Sequence, residues 1–196
     1  MRGAKVIAFG LLCLPLAWLG IQVLGEIRQP GSALGADPGE AVVLHLGEWT
    51  LRFLLLTLSV STLRRLFSWP RLLHLRRMVG LFAFGYLWLH LLAYVGLLAG
   101  FSLQAVVDDL TQRPYIMVGM LALALLLPLA VTSTRAWQRR LGRSWQRLHR
   151  LVYPAAVFAV VHLAWLTKDG YAEVAFYAGV LALLFAERLW AKRAAA

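Results

Sequence analysis

The chain has little cysteine and little negative charge. Its one cysteine, Cys13, excludes a disulfide framework and any CxxC redox pair. Asp and Glu number 9 against 20 Lys and Arg, and charged residues make up only 15% of the chain. No HExxH, Gly-rich phosphate loop or GxSxG motif occurs, so nothing marks zinc-protease, phosphate-loop or serine-hydrolase chemistry. No segment is long or polar enough for a soluble catalytic domain. Any chemistry belongs to a bundle of apolar helices or to a partner.

Apolar residues are what the chain has in excess. Its 196 residues are 61% hydrophobic and include 8 Trp, and the mean hydropathy is +0.70. These values exclude disorder and point to an integral membrane protein. A spanning helix needs ~20 mostly apolar residues. Six stretches qualify: about 6–24, 43–62, 79–99, 115–133, 151–167 and 173–190. The first reads as a retained helix, because GIQVLGE offers no A-x-A-like cleavage site. No internal repeat is convincing. The expected fold is all-α: a six-transmembrane-helix bundle forming a single domain over residues 1–196.

A net charge of +11 raises the question of nucleic acid. The placement of the charge excludes that reading, because the basic residues sit in short loops between apolar runs. Loop 63–78 carries Arg64, Arg65, Arg71, Arg76 and Arg77, and loop 134–150 carries Arg135, Arg139, Arg140, Arg143, Arg147 and Arg150. Arg2 and Lys5 precede the first helix, and Arg188, Lys192 and Arg193 close the last. The alternate loops hold most of the acid: Glu26, Asp37 and Glu40, then Asp108 and Asp109, then Asp169. The positive-inside rule therefore puts both termini and the two basic loops in the cytoplasm. The Pro- and Gly-rich run QPGSALGADPGE reads as an irregular outer loop, and FSLQAVVDDL as a short interfacial helix on the same side.

Ionisable residues at membrane depth are costly and usually functional. Among five histidines, His90 and His162 stand deepest. His90 follows Arg77, and His162 follows His149, by the same 13 residues. At ~1.5 Å per residue both imidazoles lie ~20 Å from the cytoplasmic interface, somewhat beyond the bilayer centre. Two histidines at matched depth on parallel helices, with no carboxylate or cysteine beside them, suit the two axial positions of one haem iron. Two unrelated histidines bonded to carbonyls would be the plainer explanation. Zinc would want three or four ligands. A proton relay would recruit buried carboxylates, which these helices lack.

His149 ends the basic loop in SWQRLHRLVYP. It could hold a second, inner haem if a partner came from helix 3, where Arg76 and Arg77 occupy the matching depth. His74 either reaches that site or is a solvated loop residue. Pro154 disturbs the helix between His149 and His162, so ideal helical phase does not decide whether they point together. Arg76, Arg77, Arg147 and Arg150 flank the inner site, either for topology or to meet a phosphate or propionate. Arg52 lies well inside helix 2. It either pairs with Glu48 one turn earlier or reaches a haem propionate. The aromatics Phe82, Phe84, Tyr86, Trp88, Tyr94 and Trp165 crowd the same region, as packing, interface belt or haem wall.

The runs RRMVGLFAFGYLWLHLLAY, LGRSWQRLHRLVYPAAVFAVVHLAW and GEWTLRFLLLTL together resemble the MsrQ (YedZ) family. These are haem-binding membrane subunits of bacterial methionine sulfoxide reductase systems, within the wider ferric-reductase-like transmembrane group. The similarity runs over nearly the whole chain. It implies b-type haem held by His90, His149 and His162. It also implies electron transfer across the inner membrane to MsrP, a periplasmic molybdopterin enzyme that repairs oxidised methionines. FMN and the quinone pool are associated with the family, and a cytosolic flavin reductase is a further donor. The chain departs from the four-histidine pattern of the related NADPH oxidases at the inner position of helix 3, where it has Arg.

A transmembrane electron conduit is thus the leading expectation. A small transporter using His90 and His162 in a proton or metal path is the alternative, and a scaffold subunit without chemistry is the third. An outer partner would dock on loops 25–42 and 100–114.

Overall fold

The computed structural model describes residues 2–168 and 170–194. Asp169, one of the outer-loop acids, lies outside the described residues. The described residues form helices and turns with no strand. Nine α-helices follow in order: α1 (Arg2–Arg28), α2 (Pro38–Phe67), α3 (Leu73–Ala93), α4 (Leu103–Gln112), α5 (Pro114–Val131), α6 (Arg135–Leu141), α7 (Arg143–Leu148), α8 (Val152–Leu166) and α9 (Ala172–Arg193). Among the described residues six helical segments are long and apolar enough to cross a membrane, and they are the six expected from the sequence.

The local signals are ordinary ones. Asp37 caps α2, accepting from the Glu40 amide at 2.9 Å, with Pro38 in the first turn where its missing N–H costs nothing. Ser102 caps α4 in the same way, so FSLQAVVDDL does hold a short helix. Loop 134–150 differs from expectation. It is helical, with Thr134 capping α6 and Gly142 at φ +51° separating α6 from α7. Its Gln, Arg, Leu and Trp residues tolerate helix well, and only the Gly142 reversal breaks the run.

As expected, the helix is disturbed between His149 and His162: it tightens to a three-residue turn at His149–Leu151, just before Pro154, which sits in the first turn of α8. At the other end of the histidine pair, α3 widens into a π-helical turn over Tyr94–Leu98, immediately after the turn that carries His90.

α2 is the central helix. In its most apolar window 44% of residues are buried within the chain, against 22% or less in the other five spans. In lipid there is no hydrophobic drive between helices, so close van der Waals packing holds them. Small residues serve that packing: Ala83 on α3 and Ala155 and Ala156 on α8 are almost wholly buried, beside Leu54 and Leu58 of α2. α1 is the peripheral helix. Val6, Ile7, Leu11, Leu14 and Ile21 face outward from it, as a lipid-facing surface should.

Pro15 opens the backbone ladder of α1, and two side chains repair the opening. The Tyr86 hydroxyl donates to the Leu12 carbonyl and accepts from the Leu16 amide, each at 3.0 Å. His45 donates through Nε2 to the Pro15 carbonyl at 3.1 Å. His45 is therefore a structural histidine, and Tyr86 is buried because its hydroxyl is satisfied.

Candidate functional site

His90 on α3 and His162 on α8 face one another, with ring centres 6.3 Å apart and planes at 84°. Each is fixed from a neighbouring helix. His90 donates through Nδ1 to the Val43 carbonyl of α2 at 2.9 Å. His162 donates through Nδ1 to the Tyr115 carbonyl of α5 at 2.6 Å. A carbonyl already in a helical ladder keeps a second lone pair for such a bond. With the proton held on Nδ1, the Nε2 lone pair of each ring is left for a metal.

This donor set suits a haem iron. A metal–imidazole nitrogen bond is about 2 Å, which with the ring widths puts two ligands on opposite sides of one iron about 6 Å apart, centre to centre. The observed separation meets that requirement. Among the described residues no three His, Cys, Asp or Glu side chains gather as a metal site, so zinc has no ligand set here.

His149 belongs to a different place. It lies at the basic end of the bundle, stacked on Trp145 with ring centres 3.9 Å apart, and donates through Nδ1 to the Trp145 carbonyl at 3.1 Å. It borders a cavity of about 310 Å³ with apolar walls, including Leu54, Ala83, Phe84 and Leu126, and a polar rim of Arg76, Arg77, Ser133, Gln138 and His149. That volume is at the lower end of small-ligand pockets. His74 is not among the lining residues and stands exposed on the first turn of α3.

Arg52 is occupied. Its Nη2 meets Glu48 at 2.8 Å and Glu173 at 3.6 Å, and its Nε donates to the Tyr177 hydroxyl at 2.9 Å. The guanidinium also lies 4.8 Å from the Trp49 ring centre. Of its two expected roles, these contacts make the ion pair, extended to α9. The aromatics divide as well. Phe84 walls the inner cavity and Tyr86 repairs α1. Phe82 packs edge-on against Phe9, and Trp88 and Trp165 are exposed on the outside of the bundle. Tyr94 donates to Asp109 of α4 at 2.7 Å, and Arg113 pairs with the same carboxylate at 3.1 Å.

Sequence reasoning found the histidines and missed what holds them. The carbonyls of Val43 and Tyr115 have no side-chain signature. The one available signal was spacing, because each histidine follows its carbonyl by 47 residues. Arg188, expected only as one of the basic residues closing the last helix, donates from its guanidinium to the Leu58 carbonyl and lies 5.0 Å from the Tyr153 ring centre.

The chain resembles known proteins over most of its length. Residues 46–160 match the family model described as ferric reductase like transmembrane component. A protein of Xanthomonas campestris pv. campestris (strain 8004) is 46% identical over 193 residues, covering 98% of this chain and 88% of its own length. One of Rhodospirillum rubrum is 49% identical over 189 residues, covering 96% of this chain and 88% of its own. Both carry the name protein-methionine-sulfoxide reductase heme-binding subunit MsrQ. No solved structure matches the chain. With coverage of that extent on both sides, the chain belongs to the MsrQ family, within the ferric reductase like transmembrane group.

Proposed function

We propose that the chain is a one-domain b-type cytochrome of a methionine sulfoxide reductase system, carrying electrons across the bacterial inner membrane. The observation that carries the proposal is the facing pair His90 and His162, each with Nδ1 bonded to a carbonyl and the rings at an iron-bridging separation. Bound there, haem supplies reversible one-electron chemistry. The chain's own part is to hold both imidazoles in one tautomer and keep the site dry.

The basic end faces the cytoplasm in this reading, by the loop charges. His149, Arg77 and the cavity between them receive the second redox group: an inner haem ligated by His149, or FMN as the family suggests. Electrons enter from quinone or from a cytosolic flavin reductase. They leave at the Asp108–Asp109 end for a periplasmic molybdopterin reductase of the MsrP kind. The transporter alternative has less support. Both Nδ1 protons are tied to carbonyls, and no carboxylate among the described residues bonds either ring to relay a proton.

Purification from haem-replete cells tests the proposal. A red protein with a dithionite-reduced b-type spectrum is expected, losing most of that absorbance in His90→Ala and His162→Ala. A colourless, folded protein, or full haem in both variants, overturns it.

A further inference from the structure

We infer that Gly47 and Gly119 are positioning residues for the two imidazoles: each is the clearance that lets a histidine ring lie against the next helix. The inference rests on the haem reading above. A Cβ placed on Gly47 would stand 3.0 Å from both Cε1 and Nδ1 of His90. A Cβ on Gly119 would stand 2.9 Å from Nδ1 and 3.0 Å from Cε1 of His162. Neither ring can retreat freely, because its Nδ1 bond to Val43 or Tyr115 fixes it on that same helix. A methyl group at Gly119 therefore makes the His162 ring shift, and one at Gly47 makes the His90 ring give by a few tenths of an ångström, each against its carbonyl bond.

Gly96 is also tight, a Cβ there standing 3.1 Å from Cζ of Phe101, but only Gly47 and Gly119 face an imidazole, and other glycines have room. A Cβ on Gly85 or Gly179 meets nothing within 4 Å, and one on Gly80 only touches Thr57 at an ordinary 3.4 Å. Glycine weakens a helix interior, so its use needs a local reason. The reason appears twice in the same form. Carbonyl, glycine four residues on, and histidine recur from 43 to 115, 47 to 119 and 90 to 162, an offset of 72 each time. The α2–α3 pair and the α5–α8 pair thus hold their imidazoles in the same local arrangement, although the surrounding sequences show no convincing repeat.

The test compares Gly47→Ala and Gly119→Ala with Gly85→Ala and Gly179→Ala as controls. Haem content, midpoint potential and the ferric haem EPR signal are measured on the purified full chain. The first two variants are expected to lose haem or to shift potential and EPR signal, and the controls to match the parent. Gly47→Ala is then repeated in a His90→Ala background, with thermal unfolding in detergent as the readout. Gly47→Ala should lower the melting temperature when His90 is present and leave it unchanged when His90 is gone. Unchanged potential and EPR signal in both haem-loaded alanine variants overturns the inference. An equal loss of stability in the two backgrounds, including failure to fold in both, also overturns it. If His90→Ala and His162→Ala both keep full haem, the haem reading falls instead, and the unfolding cycle alone decides the clearance.

Discussion

Trp145 holds His149 twice. Its indole lies 28° from parallel with the imidazole, and its carbonyl accepts the Nδ1 proton. The indole is itself anchored, with Nε1 donating to the Thr132 carbonyl at 2.9 Å. Removing the stack and this bond in Trp145→Ala should destabilise the basic end by about 1–3 kcal/mol. On the proposed reading the variant should lose the ligand assigned to His149 and keep the haem assigned to His90 and His162. Trp145→Phe keeps a ring against His149 and should retain the inner ligand. Haem per protein and the reduced spectrum of the two variants check this.

Arg52 pairs with Glu48 within α2 and ties α2 to α9 through Tyr177 and Glu173. Arg52→Ala leaves both carboxylates near one another without their cation. Unfolding should become easier by about 1–3 kcal/mol, because the lost bonds are charge-assisted. Haem content and midpoint potential should not change. A lowered haem content, measured against the parent in the same detergent, would instead assign Arg52 to a propionate.

Tyr86→Phe removes the hydroxyl that bridges Leu12 and Leu16 while preserving the ring. Hydrogen bonds between membrane helices are worth about 0.6 kcal/mol on average by double-mutant cycles. The variant should fold, with α1 more accessible to proteolysis and amide exchange between Leu12 and Leu16 faster. Equal exchange rates in parent and variant would show that Pro15 leaves nothing to repair.

Orientation is open to direct chemistry. In a Cys13→Ala background, cysteines placed by Gln104→Cys and Ser144→Cys lie on the two opposite loop faces. A membrane-impermeant maleimide added to spheroplasts should label position 104 and spare position 144. The reverse pattern would invert the proposed topology.

Much of this molecule is legible in its sequence, for a physical reason. Lipid demands runs of apolar residues, so six spans declare themselves, and an imidazole such as His90 stands out against its run. Short caps are legible too, as at Asp37 and Ser102. The supports are less visible. Tyr177 and Glu173 complete the Arg52 cluster from more than 120 residues away. The Val43 and Tyr115 carbonyls are backbone atoms, which every residue carries. Loop 134–150 misled because its dense arginine marks topology, while its helix propensity decides its shape.

The π-helical turn at Tyr94–Leu98 separates two design problems. A wide turn carries one residue more than an α-turn, and it rotates everything beyond it. Because it follows His90, the extra residue is absorbed between the imidazole and the Asp109 end. Insertions and deletions there re-aim the Asp109 end of the bundle while the half of α3 that carries His90 stays in register. One helix can thus be tuned for docking at its tip and held constant for chemistry at its middle.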